Sequence, residues 1–462
     1  MELPYQPNSD VSIDALPSTD PGERDEAEVP SIVSQGTCDE ITSVANAEND
    51  LDFSQLSPLY AATRDFNSPQ ERGPTSMNNF LKGGLFSPDG FCLLTASEDS
   101  VLRVFEVPRH TLQEVNNGGS TDAELNTSTT SPTSTSSPVP EWIPCLQSVE
   151  GETVYDFSWY PHMSSAEPAS CVFISTSRDH PIHMWDAFTG GLRATYRAYD
   201  HLDEIVAANS VCFNVSGDRI FAGYNRMIRV FDVAHPGRTF EARPTCKTRK
   251  STMGQRGIIS SLAFSPQAYG GGLFAAGSYA KSVCLYSENS HGRVVTDLST
   301  PPMGGITHLQ FSPDGQLLFS GSRKSSLILC WDVRQTREVL HTFPRGASTN
   351  QRVSFDIDAS GRFLATGSTD REVLVYNIHS NHLVGAVRNQ ADAVGGACFH
   401  PYAPLLSFYT GQRHFDFPAQ ADSENSSTAG SPQVAEREVR TWRGEREFAT
   451  NGVFLYSIGR KK

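Results

Sequence analysis

Residues 151–190 read GETVYDFSWYPHMSSAEPASCVFISTSRDHPIHMWDAFTG. Residues 154–159 and 171–175 are runs of β-branched and aromatic side chains, too short for helices. Residues 182–186, Ile-His-Met-Trp-Asp, alternate apolar and polar as a half-buried strand does. Thr189-Gly190-Gly191 then turns the chain, and a fourth strand starts at Leu192. Four short strands, with a Trp-Asp pair ending the third, make one blade of a β-propeller.

The same unit recurs along the chain. A strand ending in an aromatic residue, followed by a turn, occurs at Phe86, Trp159, Phe213, Phe264, Phe311, Phe355 and Phe399. After a longer first interval the marks fall 44 to 54 residues apart, the spacing of WD repeats with modest insertions. A small-residue strand follows the marks, as at Phe274-Ala-Ala-Gly-Ser and Phe319-Ser-Gly-Ser. The next strand closes on an aromatic: Phe105, Trp185, Phe231, Tyr286, Trp331, Tyr376 and, for the last blade, Trp442. Three features repeating in phase seven times predict an all-β, seven-bladed WD-repeat propeller. Trp185, Trp331, Asp186 and Asp332 are expected to pack the core and anchor turns.

The flanks are different in kind. Residues 1–79 hold 15 acidic and three basic side chains, −12 of the total formal charge of −15, so the rest of the chain is nearly neutral. Residues 1–52 read as a disordered acidic tail, and residues 53–459 as the propeller. Part of Leu56 to Phe66 is expected to close the ring by joining the last blade, since an unclosed propeller leaves sheet edges open. Low-complexity insertions are expected at about 109–140, as a loop without a core role, and at 417–435. The nine cysteines lie mostly singly in strands, with no C-x-x-C, and read as free thiols of a reducing compartment. No apolar run reaches about 18 residues, and MELPYQPNSD has neither the basic start nor the apolar core of a secretory signal.

Several strings go well beyond generic WD-repeat positions. They are NFLKGGLFSPDG (79–90), VEGETVYDFSWYPHMSSAEP (149–168), SRDHPIHMWDAFTG (177–190), RAYDHLDE (197–204), GYNRMIRVF (223–231), GQRGIISSLAFSP (254–266), GGITHLQFSPDG (304–315) and TNQRVSFD (349–356). Through them most of residues 79–415 resembles the telomerase Cajal body protein family. The resemblance implies a non-catalytic RNA-binding scaffold. Such a scaffold recognises small guide RNAs of the Cajal-body and H/ACA type, telomerase RNA among them, and directs their nuclear localisation or particle assembly. It further implies residence in the nucleus, proteins of the H/ACA or telomerase particle as partners, and no cofactor. DNA and membrane are not expected partners, and a monomeric propeller is expected.

The residues suggest where RNA would bind. In a propeller, the turns between the second and third strands of all blades share one face. Those turns hold Arg178, Arg226, Lys281, Arg323, Lys324, Arg371 and Arg413, in six of the seven blades; the first blade has Glu98-Asp99. Loops leading into the next blades add Lys247, Arg249, Lys250, Arg256, Arg345 and Arg352. Cations gathered on one face of a near-neutral body form an electrostatic footprint for phosphate. Arg178, Arg226, Lys281, Arg323, Lys324, Arg352 and Arg413 are the expected phosphate contacts. Asn225 and Gln351, with Asn350 beside them, are expected to read base edges, because an amide both donates and accepts. Tyr224, Tyr279 and His414 are placed to stack unpaired bases.

Enzyme readings find little support. Gly272-x4-Gly277 is followed by Ser278-Tyr279 where a phosphate loop needs Lys and Ser or Thr. His201, Asp203 and Glu204 read as the solvent side of a short loop helix. No catalytic or metal-ligating residue is assigned. The alternative reading is a protein-interaction propeller in spliceosomal snRNP biogenesis that binds no RNA directly.

Overall fold

The structure, a computed structural model, describes residues 51–67, 78–116, 139–246, 254–266, 272–290, 293–298, 304–413 and 451–461. They build seven four-stranded antiparallel sheets. From the innermost strand outward, blade 1 is Leu81–Phe86, Cys92–Ser97, Val101–Glu106 and Leu146–Val149. Blade 2 is Val154–Trp159, Val172–Ser177, Ile182–Asp186 and Leu192–Tyr196; blade 3 is Ser210–Phe213, Arg219–Tyr224, Met227–Asp232 and Glu241–Pro244. Blade 4 is Ile259–Phe264, Leu273–Ser278, Ser282–Ser287 and Val294–Leu298; blade 5 is Ile306–Phe311, Leu317–Ser322, Leu327–Asp332 and His341–Pro344. Blade 6 is Phe355–Ile357, Phe363–Thr366, Val373–Asn377 and His382–Val387; blade 7 is Val394–Phe399, Leu405–Thr410, Gly452–Arg460 and Leu51–Ala62. The seven-bladed propeller read from the sequence is therefore the fold.

Leu51–Ala62 is the outer strand of blade 7, antiparallel to Gly452–Arg460 from Leu51↔Arg460 to Ala62↔Val453. It starts at Leu51, inside the expected tail, and ends before Phe66. Phe66 is buried in the four-residue helix Arg64–Asn67 that follows. The third strand of blade 7 does not close on Trp442, which lies outside the described residues; Tyr456 stands opposite Leu406 instead. Residues 1–50, the 417–435 insertion and most of the 109–140 insertion also lie outside the described residues. The start of the 109–140 insertion is ordered rather than loop. Arg109–Asn116 is a helix that buries Thr111, and Leu112 and Val115 pack on the blade 7/blade 1 core. At its far end Trp142 packs at a tilt against Phe105, centroids 5.2 Å apart, and donates Nε1–H to the Glu106 carbonyl at 2.8 Å.

Blades adhere through apolar faces. Phe157, Trp159, Phe173 and Trp185 of blade 2 bury against Leu94, Ala96, Leu102 and Val104 of blade 1. Trp331 is fully buried, and Asp186 accepts the N–H groups of Phe188 and Thr189 in its turn. Polar groups stitch the inner strands. Ser260 Oγ donates to the Ile306 carbonyl at 2.6 Å, and the half-buried Asp356 carboxylate accepts from Gln310 Nε2 at 2.6 Å and Phe399 N–H at 2.8 Å. The eight described cysteines are free thiols.

His400 ties blade 7 to blade 1. Its Nε2 donates to the Gly90 carbonyl at 2.8 Å, and its Nδ1 accepts the N–H groups of Tyr402 and Ala403 at 3.1 and 2.8 Å. Gly90 has φ +78°, and a Cβ there would collide with the ring. Protonation removes the Nδ1 acceptor, and burial pushes the His400 pKa down to about 4. An unfolded histidine binds its proton near 6.5. The stabilisation is thus complete above that value and lost as pH falls toward 4. Urea unfolding should show about 2 kcal/mol of it disappearing between about pH 7.5 and pH 5. A His400→Ala protein should lack that component, and an unchanged profile would refute the assignment.

Candidate nucleic-acid interface

Turns between second and third strands do share a face with the loops that connect successive blades, because the two are hydrogen-bonded. Arg178 N–H donates to Thr153 O, Arg226 N–H to Gly257 O, Tyr279 N–H to Ile258 O, Lys324 N–H to Thr349 O and Thr369 N–H to Gly346 O. In six blades one turn residue has the left-handed backbone: Ser100 (φ 65°), Asp179 (58°), Arg226 (58°), Lys281 (68°), Lys324 (53°) and Arg371 (64°). That single αL residue lets a tight turn join strands of right-handed twist.

The cations of this face fall into two groups. Among those chosen from the sequence, Arg178 pairs with its neighbour Asp179 at 3.4 Å, both largely exposed. Arg226, Lys281 and Lys324 have no ion pair among the described residues; Lys281 and Lys324 are exposed. Arg323 lays its guanidinium over the Tyr279 ring at 3.8 Å, and its Nε has no hydrogen-bond partner. Asn225 is exposed.

The other group is tied into the structure. Arg352, at the mouth of blade 6, reaches across the ring axis to Asp156 on the inner strand of blade 2, Nη1 to Oδ1 2.8 Å. The other Asp156 oxygen accepts Val211 N–H at 3.0 Å. Arg413 pairs with Glu98 of blade 1, which also holds Lys82 at 2.6 Å. Gln351 spans toward blade 7, its Nε2 donating to Gly411 O and its Oε1 accepting Arg413 N–H, both at 3.4 Å. Arg345 is buried, donates to Val353 O and Thr366 Oγ1 at 2.9 Å, and has its pKa pushed down to about 10 by burial. It is not a surface cation, contrary to the sequence reading. Tyr224 is no stacking platform either. It is buried under the Arg229 guanidinium at 4.6 Å, and burial raises its phenol pKa. Asn350 is exposed. Lys247, Arg249, Lys250 and His414 lie outside the described residues. Blade 1 offers no free cation at its turn, where Asp99 is held by Arg103 in a two-point ion pair.

The family model for the WD domain, G-beta repeat, matches residues 289–332 and 337–377. Each match supplies the outer strand of one blade and the three inner strands of the next. A Bos taurus protein named Telomerase Cajal body protein 1 is 42% identical over 371 residues, 79% of this chain and 64% of that protein. A Drosophila melanogaster protein named Telomerase Cajal body protein 1 homolog is 33% identical over 358 residues, 76% of this chain and 60% of that protein. A Schizosaccharomyces pombe protein named Guanine nucleotide-binding protein negative regulator 1 is 30% identical over 316 residues, 65% of this chain and 71% of that protein. The chain belongs to the telomerase Cajal body protein family. It spans less than two thirds of the length of its Bos taurus and Drosophila melanogaster relatives.

This telomerase Cajal body family propeller carries two further residues at the interface. Tyr155 is the bulged residue of the blade 2 inner strand, between the pairs Val154↔Ser177 and Asp156↔Thr176, and is 41% exposed. Its phenol pKa is raised, chiefly by burial; Arg178 works against the shift, while Asp179 and Tyr279 add to it. The bulge is what turns an aromatic of an otherwise packed strand toward solvent. Arg371 is the second, on the blade 6 turn, with no ion pair among the described residues. The run Val154-Tyr155-Asp156 was the only signal for Tyr155, since two polar-tipped residues in succession break the period-2 alternation. His201, Asp203 and Glu204 do not form a helix. A Tyr199↔Ile205 bridge makes a small hairpin, and Arg238 pins Asp203.

Proposed function

We propose that this propeller is a non-catalytic scaffold that binds small guide RNAs of the Cajal-body and H/ACA type, telomerase RNA among them. It directs their nuclear localisation or assembly with the proteins of the same particle. The observation that carries the reading is a set of cations, Arg226, Lys281, Lys324 and Arg371, on neighbouring turns of one face, unpaired among the described residues. Exposed Asn225, and Tyr279 beneath Arg323, add the amide and stacked ring that single-stranded RNA recognition uses. Two of the relatives are named for telomerase and the Cajal body, which supports that class of RNA and that compartment. The fold alone supports neither, because propellers host many functions.

Crosslinking the protein to RNA in cells and sequencing the recovered RNA tests this directly. Guide RNAs should dominate, and an Arg323→Glu, Lys324→Glu protein should recover less than about a tenth as much, each reversed charge weakening phosphate contact. Recovery of particle proteins with no crosslinked RNA would favour the protein-interaction reading instead.

A further inference from the structure

Resting on the RNA reading, we propose that the αL position of the turn between second and third strands is the phosphate-contacting position. Arg226, Lys281, Lys324 and Arg371 then form one continuous track over blades 3 to 6 for a single-stranded polyanion. The four share one backbone conformation in the same turn of their blades, with φ between 53° and 68°. An L side chain adopts this backbone only at a cost in stability, and glycine or asparagine does so far more readily. Four long cations at four such positions are therefore costly choices. Nothing within the fold compensates for them. The backbones are held by main-chain bonds, Arg226 N–H to Gly257 O at 2.8 Å, Lys281 N–H to Ser278 O at 3.1 Å and Lys324 N–H to Thr349 O at 2.9 Å. Among the described residues the side chains themselves make no ion pair or hydrogen bond. The turn requires the αL backbone but not a cation on it, and residues held in such sparsely populated backbone cluster at functional positions.

The track has ends. On blade 2 the αL residue is Asp179, already paired with Arg178. On blade 1 it is Ser100, beside Glu98 and Asp99, whose charges are taken by Lys82, Arg413 and Arg103. Cations that resemble the four in sequence but are tied elsewhere, Arg345, Arg352 and Arg413, fall outside it. The track therefore fits a short linear strand crossing four blades rather than a ligand encircling the face.

Fluorescence anisotropy with a labelled 20-nucleotide single-stranded RNA, titrated from about 50 to 300 mM salt, tests the track. Four phosphate contacts give a log–log salt slope of about −3 for the wild type, at about −0.7 per contact. A protein with Arg226→Gly, Lys281→Gly, Lys324→Gly and Arg371→Gly should bind about a hundredfold more weakly near physiological salt, with a slope near zero. Each single glycine should flatten the slope by about 0.7. Melting temperatures should stay level or rise, because glycine relieves the strained φ. An asparagine series should behave likewise, which guards against any effect particular to glycine. A fall of several degrees would make the cations structural and overturn the proposal, as would unchanged affinity and slope.

Retention on heparin separates the two readings. If the wild type ignores RNA yet is held by heparin, and the glycine protein is not, the RNA reading fails while the track stands, for an acidic protein segment. If neither is held, the track falls as well.

Discussion

Deleting residues 1–70 is expected to yield a protein that aggregates and shows no cooperative melting transition, whereas deleting residues 1–49 leaves the melting temperature within about 1 °C. The longer deletion removes Leu51–Ala62, the outer strand of blade 7. Phe53 goes with it, 4% exposed and set edge-on against Phe363 with centroids 4.7 Å apart, and so does Phe66, 2% exposed. Burying two phenylalanines contributes roughly 3–6 kcal/mol, a large fraction of the ~5–15 kcal/mol by which folded domains are stable. The ladder to Gly452–Arg460 is lost as well, and that strand becomes an unpaired edge. The hydrogen bonds between Asn67 and Asn451, N–H of Asn451 to Asn67 Oδ1 at 3.0 Å and Nδ2 of Asn67 to Asn451 O at 2.7 Å, disappear with the same segment. The shorter deletion touches none of these. Equal behaviour of the two proteins, by light scattering and calorimetry, would refute closure by this strand.

Arg352→Ala is expected to destabilise the propeller by ~2–3 kcal/mol, with the salt slope of RNA binding unchanged. The Asp156 carboxylate, its side chain 13% exposed, loses the cation that reaches it from the far side of the ring. It retains only Val211 N–H. An uncompensated carboxylate at that depth is the main source of the loss. Arg352→Ala with Asp156→Ala should therefore recover part of it, read by urea unfolding. This pattern is the reverse of the one expected for the αL cations, where binding falls and stability does not. If Arg352→Ala instead flattened the salt slope at constant stability, Arg352 would belong among the phosphate contacts, as its sequence position suggested.

The contrast between those two arginines shows what sequence could reveal here. The blades were legible because their signals are local: an aromatic strand end, a turn and a small-residue strand lie within about 20 residues of one another and recur in phase. The turns that carry Arg226, Lys281 and Lys324 follow from the same count. Whether a cation on such a turn is free depends instead on partners far along the chain. Asp156 and Arg352 are 196 residues apart, and Glu98 and Arg413 are 315 apart. No periodicity encodes which carboxylate reaches which guanidinium across the axis. Tyr224 was misread for a related reason. It ends a strand in a turn, where exposure is the norm, but Arg229 two strand positions beyond Met227 folds back over its ring. Tyr155 escaped notice because a bulge, which shifts one residue out of alternation, leaves only a faint mark in sequence.

The outer strand of blade 7 also sets an order of events during synthesis. Leu51 leaves the ribosome first and Arg460 last, yet the two are paired. At ~5–20 residues per second, roughly 20–80 s separate them. Through that interval blades 1 to 6 can assemble one upon the next, each from four consecutive strands. Blade 7 has its two inner strands and no third, while Phe53 waits for Phe363 and Phe399, the rings it packs on. The propeller is thus an open arc for most of its making and becomes a ring in a single late step. That step joins segments about 400 residues apart, a separation that slows folding.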